Sequence, residues 1–79
     1  MKTFVVGVLS AFENDNKLFM TKAETPIEAL HNVYKEFNKE VINEDYMADV
    51  IANLKDNVDD FLDDMVNQEL FFTEPMEIN

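Results

Sequence analysis

The stretch KTFVVGVLSAF, residues 2–12, determines how the rest of the chain is arranged. Its apolar side chains alternate, so that Phe4, Val6 and Val8 share one face while the residues between them share a second, largely apolar face. A strand with two apolar faces is typical of the middle of a sheet rather than its edge. The run begins with a lysine, as a short signal peptide does, but acidic and amide residues follow it directly and no small-residue cleavage pattern closes it. We therefore predict a central β-strand here.

The residues that follow this strand favour a hairpin. Residues 13–17, ENDNK, are polar and include residue types that tolerate left-handed backbone geometry, as a turn requires. Residues 17–23, KLFMTKA, alternate again and are predicted as the returning strand. The single glycine, Gly7, is expected at a β-bulge or at a place where a helix packs closely on the first strand.

Residues 25–28, TPIE, form the clearest helix start in the sequence. Thr25 is a favourable N-cap, and Pro26 suits the first helical position because an N–H there would have no partner within the helix. Glu28 is placed to reach back to the backbone of Thr25. Apolar residues then recur at steps of three and four, which predicts an amphipathic helix from Pro26 to about Asn38.

A longer apolar pattern lies in the C-terminal half. Its members recur alternately at steps of four and three, the spacing of one continuous helical seam: Met47, Ile51, Leu54, Val58, Phe61 and Met65. Because neither glycine nor proline interrupts the seam, we predict one helix from Glu44 to about Asn67, with residues 55–57, KDN, as its weakest point. Packing of the seam on the hairpin sheet is favoured over pairing with a second copy, because the seam covers fewer than three heptads.

The C-terminal segment completes the predicted architecture. Leu70–Thr73 is rich in strand-forming residues, and Pro75 cannot donate a ladder hydrogen bond, so this segment is predicted as a third strand or as an apolar tail packed on the helices. The 79 residues form one domain. The predicted fold class is α+β, an N-terminal antiparallel β-hairpin packed against two helices, of which the second is long and acidic.

The negative charge is concentrated in one half of the chain. Residues 1–39 hold five lysines and five acidic residues, whereas residues 40–79 hold one lysine and twelve acidic residues. The whole net charge of −11 therefore belongs to the C-terminal half. Such a surface repels the phosphates of nucleic acid and attracts basic partners. The chain has no cysteine and no apolar run long enough to span a membrane, which fits a cytoplasmic protein.

Aspartates gather on the side of the predicted long helix that lies opposite the seam, at 100° per residue. The candidate partner-binding residues are the aspartates in and beside this stripe: Asp45, Asp49, Asp56, Asp59, Asp60, Asp63 and Asp64. Like charges four residues apart destabilise a helix by about 0.2–0.5 kcal/mol per pair, and aspartate is a poor residue for a helix interior. A stripe of like charges that destabilises its own helix indicates that the aspartates serve a function. The alternative interpretation is that they form an ordinary solvated face of the helix.

The sequence gives little support for catalysis or metal binding. Ser10 lies within a strand pattern, and His31, the only histidine, lies beside the apolar stripe of the first helix and is expected to be a boundary residue. The acidic run at residues 56–64 lacks the glycine and the alternate spacing of a calcium-binding loop. We expect no enzymatic activity, no cofactor and no specific metal site.

In size, acidity, absence of cysteine and α+β layout, the chain resembles the small acidic inhibitor proteins that phages make against host nucleases, CRISPR complexes and other DNA-binding machinery. The resemblance implies a non-enzymatic protein that acts in the host cytoplasm on a basic, nucleic-acid-binding protein, with carboxylates placed as DNA places its phosphates. It implies no direct binding of nucleic acid or membrane. The alternative is a small homo-oligomeric structural or regulatory module in which the Met47–Met65 seam pairs with its copy.

Overall fold

The computed structural model describes residues 1–10 and 16–78. In chain order its elements are β1 (Lys2–Ser10), β2 (Asn16–Ala23), α1 (Pro26–Phe37), α2 (Glu44–Ala52), α3 (Val58–Asn67), β3 (Leu70–Phe72) and β4 (Met76–Ile78). The predicted α+β class is confirmed, with helices packed on one face of an antiparallel sheet. The end of the predicted first strand, residues 11–12, and the predicted turn residues 13–15 lie outside the described residues.

β1 is the central strand of the sheet, as predicted. It pairs antiparallel with β2 along one edge, with Lys2 opposite Ala23. Along the other edge it pairs with β3 near its C-terminal end and with β4 near its N-terminal end, both antiparallel. Phe4, Val6 and Val8 are 2%, 0% and 2% exposed, so the predicted face of β1 is the face that the core covers.

β3 and β4 share one edge of β1 but differ in register by one residue. Phe72 lies opposite Val8, whereas Met76 lies opposite Val5. Three residues, 73–75, therefore face two residues of β1, which is the geometry of a β-bulge. The third strand predicted at residues 70–73 is confirmed, and the structure adds β4 beyond the bulge.

Gly7 lies directly beside this bulge. Its N–H donates to Oγ1 of Thr73 at 2.8 Å, and its carbonyl oxygen accepts from the backbone N–H of Thr73 at 2.9 Å. A Cβ atom at Gly7 would lie 3.2 Å from Cγ2 of Thr73, so the absence of a side chain lets the bulged segment approach. Pro75, which has no N–H to donate, falls in the same interruption of the ladder.

α1 begins where the TPIE sequence predicts. Thr25 has the extended backbone of an N-cap, and its Oγ1 accepts from the N–H of Glu28 at 3.3 Å. The helix ends at Phe37 and Asn38 caps it, one residue before the predicted end. The face of α1 that packs on the sheet comprises Ala29, Leu30, Val33 and Tyr34.

The prediction of one long helix over residues 44–67 is wrong. Two shorter helices, α2 and α3, occupy this range, and residues 53–57 connect them. The molecule therefore has three helices in its described residues rather than two. The break includes the KDN segment, which the sequence identifies as the weakest point of the long helix.

Two asparagines form the ends of the break. Nδ2 of Asn53 donates to the carbonyl oxygen of Asp49 at 2.8 Å at the end of α2. Oδ1 of Asn57 accepts from the N–H groups of Asp59 and Asp60 at 2.9 and 3.3 Å at the start of α3. Asn57 has extended backbone, with φ −118° and ψ 138°, so the helical hydrogen-bond ladder cannot pass through it.

The apolar seam packs on the sheet within one chain. Phe61 and Met65 are fully buried and share a core cluster with Val6 of β1. The ring of Phe61 meets the rings of Tyr34 and Phe72 edge-on, at centroid distances of 6.3 and 5.4 Å. Four of the six seam residues are buried, as packing of the seam on the sheet requires.

Candidate functional site

The seven predicted aspartates lie in three segments of the helical side. Asp45 and Asp49 belong to α2, Asp56 belongs to the connector, and the remaining four belong to α3. The prediction of a single continuous ridge along one helix is therefore wrong, because that helix is broken between Asp49 and Asp56. Six of the side chains are exposed and Asp64 is half-buried. We call this set the acidic surface: Asp45, Asp49, Asp56, Asp59, Asp60, Asp63 and Asp64.

Three of these aspartates lie in the first turns of helices. The N–H of Asp45 donates to Oδ1 of Asn43 at 3.0 Å, and Asp45 lies in the first turn of α2. Asp59 and Asp60 occupy the first turn of α3. Carboxylates in a first turn interact favourably with the positive end of the helix dipole. These three residues therefore support the helices that carry them, and the assumption of one long helix concealed this role for Asp59 and Asp60.

The other helical aspartates have no such structural role. Asp49 lies near the end of α2, and Asp63 and Asp64 lie in the second half of α3, towards the negative end of the helix dipole. Neither helix has a basic residue in its last turn to offset these charges. The aspartates of this subset therefore destabilise the helices that carry them.

The acidic surface is not neutralised by ion pairs. In the described parts of the chain, residues 1–10 and 16–78, ion pairs within 4.0 Å involve the carboxylates of Glu24, Glu36 and Glu77 and none of the seven aspartates. Lys55 lies at the rim of a shallow depression of 370 Å³ on α3, together with Asp60, Asp63 and Asp64. A single cation near three carboxylates leaves this region with excess negative charge.

Tyr34 marks the boundary between the acidic surface and the core. Burial, and after it the negative charge of Asp64, raises the pKa of Tyr34 above its ordinary value of 10.0. The hydroxyl therefore stays protonated throughout the neutral range and can act as a hydrogen-bond donor beside the carboxylates.

His31 connects α1 to the segment between α2 and α3. Its Nε2 lies 2.7 Å from the carbonyl oxygen of Lys55, within hydrogen-bond distance. Its ring centroid lies 5.7 Å from that of Phe61. The side chain is half-buried, as expected for a boundary residue, and these contacts give it a structural role in holding the connector.

A groove of 1030 Å³ lies between α1 and α2. Charged residues of both signs line its α1 side, including Lys35, Glu36 and Lys39. Nζ of Lys39 donates to Oε1 of Glu36 at 2.6 Å, and this hydrogen bond raises the pKa of Lys39. Since its charges are mixed, the groove does not extend the acidic surface.

A second surface, not predicted from the sequence, lies on the face of the sheet away from the helices. We call it the open sheet face, and its large apolar side chains are Val5, Leu9, Leu18, Met20, Phe71, Met76 and Ile78. The sequence of β1 contains a signal for this surface. The second face of the strand is also apolar, whereas the helices cover only one face of the sheet. Counting the elements available to cover each face would have identified it.

Within the described residues, no group of three or more His, Cys, Asp or Glu side chains is arranged to hold a metal ion. None of the helices there has the length and apolar character needed to cross a membrane. No protein-family model, curated protein or solved structure matches the chain. The function is therefore inferred from the geometry of the acidic surface and the open sheet face.

Proposed function

We propose that this chain is a non-enzymatic acidic protein that binds a basic, nucleic-acid-binding protein through its acidic surface. In binding, it inhibits or modulates that protein by occupying the site that nucleic acid would use. The observation that supports this most directly is α3, which displays four aspartates within the six residues from Asp59 to Asp64, none of them in an ion pair among the described residues.

The charge density of α3 suits a site built for phosphates. Six helical residues span about 9 Å, so four carboxylates give about one charge per 2 Å of axis. Duplex DNA carries about one charge per 1.7 Å of axis when both strands are counted. A surface that binds duplex phosphates through lysine and arginine side chains thus meets a similar linear density of acceptors on α3.

The resemblance to phage-encoded acidic inhibitors supports the same proposal. Proteins of that type act inside the host cell on defence or DNA-processing machinery, and the chain shares their small size and strong negative charge. The target is expected to be a host protein with a basic nucleic-acid channel, and duplex DNA is expected to compete with the chain for it.

A pull-down with matched charge variants tests the proposal. The tagged chain is mixed with nuclease-treated bacterial lysate, and bound proteins are released by increasing salt and identified. We expect one nucleic-acid-binding protein or complex, released as salt screens the contacts and displaced by added duplex DNA. Recovery of the tagged chain alone would contradict the proposal.

The variant D49N/D56N/D63N removes three charges of the acidic surface without touching the first turns of α2 and α3. The control E24Q/E74Q/E77Q removes three charges outside α2 and α3, so both variants change the net charge from −11 to −8. We expect the aspartate variant to lose the captured protein and the control to keep it. Equal loss in both variants would show that total charge, not the acidic surface, determines binding.

A further inference from the structure

The open sheet face holds most of the exposed large apolar side chains of the described residues. Ten such side chains are exposed, and six of them lie on this face: Leu9, Leu18, Met20, Phe71, Met76 and Ile78. Leu18 and Met20 are the most prominent, at 75% and 68% exposed. On the helical side, Val41, Tyr46 and Val66 are exposed, but they belong to three different segments. The apolar surface is therefore concentrated rather than scattered.

The size of the open sheet face suits an interface. Weighted by their exposed fractions, its six exposed side chains present on the order of 600 Å² of apolar area, the upper end of what a typical monomer exposes in one patch. Two such faces in contact would bury about 1,200 Å² in total, which exceeds the roughly 1,000 Å² expected of a specific interface.

The charges of the chain are placed so that two copies can meet on this face. The described strand residues that point to this side include Lys22 and no acidic residue. Packed sheets lie about 10 Å apart, and each helical layer lies beyond its own sheet, so the two acidic surfaces would be separated by about 30 Å. That distance is several times the Debye length of about 8 Å at physiological salt, so their repulsion is screened.

The open sheet face has no negative charge that would attract a basic partner. Its apolar side chains fit the same apolar face of a second copy. We propose that this chain forms a homodimer in which the open sheet faces of two copies pack against each other. The two acidic surfaces then point outward on opposite sides. One dimer could thereby engage two sites of a basic target at once.

Sedimentation velocity of the wild-type chain alone, across a wide micromolar range, tests the dimer. We expect a concentration-dependent species of twice the 9.2 kDa chain mass. Association should be weaker at about 0.01 M salt, where the Debye length of about 30 Å leaves the repulsion between two chains of charge −11 unscreened, than at physiological salt. A wild-type chain that stays monomeric at every concentration would overturn the proposal and leave the face to a different kind of partner.

The variant L18T/M20T removes the two most exposed side chains of the open sheet face and keeps a residue type that favours strands. The control V41T/V66T removes exposed apolar groups from the helical side. We expect the first variant to weaken association by about tenfold or more, and the control to leave it unchanged. The reverse pattern, or a dimer insensitive to L18T/M20T in a folded variant, would overturn the proposal.

The wild-type methionines give a readout that does not depend on any variant folding. Met20 and Met76 lie on the open sheet face, whereas Met47 of α2 and Met65 of α3 are buried in the core. With ¹³C-methyl methionine, we expect the NMR signals of Met20 and Met76 to shift as concentration rises while those of Met47 and Met65 stay in place. Shifts confined to the buried pair would contradict this interface. Because no partner is present, the result is independent of whether the acidic surface binds a basic protein.

Discussion

At the scale of the residue, Tyr34 lies where the core meets the acidic surface. Its side chain is 7% exposed, and its ring packs edge-on against Phe61. Burial, followed by the charge of Asp64, raises the pKa of Tyr34 above 10.0. The folded chain therefore holds the phenol proton more tightly than the unfolded chain does, which couples folding to alkaline pH.

The variant Y34F tests this coupling. The stability that comes from the raised pKa is fully present below pH 10 and is lost as pH rises through the folded-state pKa. The free energy of unfolding of the wild type, measured by urea titration, should therefore fall relative to that of Y34F between pH 8 and pH 11. The same difference at both pH values would show that Tyr34 titrates alike in the folded and unfolded chains. The variant D64N should reduce the effect only in part, because burial is the larger cause.

At the scale of the element, one asparagine turns a predicted long helix into two short ones. Oδ1 of Asn57 satisfies two N–H groups at the start of α3, and the two residues that own them, Asp59 and Asp60, add favourable charge to the same turn. A continuous helix would lose this cap and place Asp59 and Asp60 in its interior. The break is therefore stabilised by the acidic residues that seemed to oppose helix formation.

Replacing the cap measures its contribution. The variant N57A should lower the free energy of unfolding by about 1 kcal/mol, because two N–H groups lose their acceptor. Its control is N67A, at the other end of α3, which is expected to change stability by less than about 0.5 kcal/mol, as for an ordinary surface substitution. Urea unfolding of both variants provides the comparison. Equal effects at the two ends would mean that the Asn57 cap contributes no specific stability.

The sequence identifies elements well where a local signal begins or ends them. The alternation of β1 and the TPIE start of α1 predict both elements closely. The seam from Met47 to Met65 does not reveal the break, because two helices that face one core keep the same spacing of apolar residues as one helix. The informative signal is an asparagine with an aspartate two residues later, which occurs at Asn43 and again at Asn57.

The C-terminal strands show a different reason for an incomplete prediction. β4 has only three residues and an interrupted ladder before it, so local propensity is too weak to define it. It forms because one edge of β1 is open along Thr3–Val5. The positions of the candidate site follow the same rule: the sequence predicts which residues are acidic and exposed, but only the helix packing determines how they are grouped.

At the scale of the whole molecule, the chain separates its two kinds of exposed surface. The acidic side chains lie on the helical side, and the concentrated apolar side chains lie on the open sheet face. The separation implies that charge and association can be altered independently, since substitutions that affect one surface lie far from the other. A net charge of −11 on 79 residues also means that self-repulsion opposes the compact state.

The variant D49N/D56N/D63N should therefore be more stable than the wild type at low salt. It removes the like-charge helical pairs Asp45/Asp49 and Asp59/Asp63, each worth about 0.2–0.5 kcal/mol, for a gain of up to about 1 kcal/mol. The gain should shrink at high salt because the repulsion is screened. Thermal unfolding at two ionic strengths measures it. Higher stability together with lost target binding would identify these aspartates as kept for function; lower stability at low salt would refute the electrostatic argument.

The one-residue offset between β3 and β4 has a consequence for how this protein can evolve. The bulge takes up the extra residue in 73–75, so Met76 lies opposite Val5 just as it would in an uninterrupted ladder one residue shorter. Loss of one codon there would therefore leave Phe72 opposite Val8 and Met76 opposite Val5 in one continuous ladder, with Met76 and Ile78 still on the open sheet face. The chain can thus gain or lose one residue at this point without changing which side chains form its apolar surface.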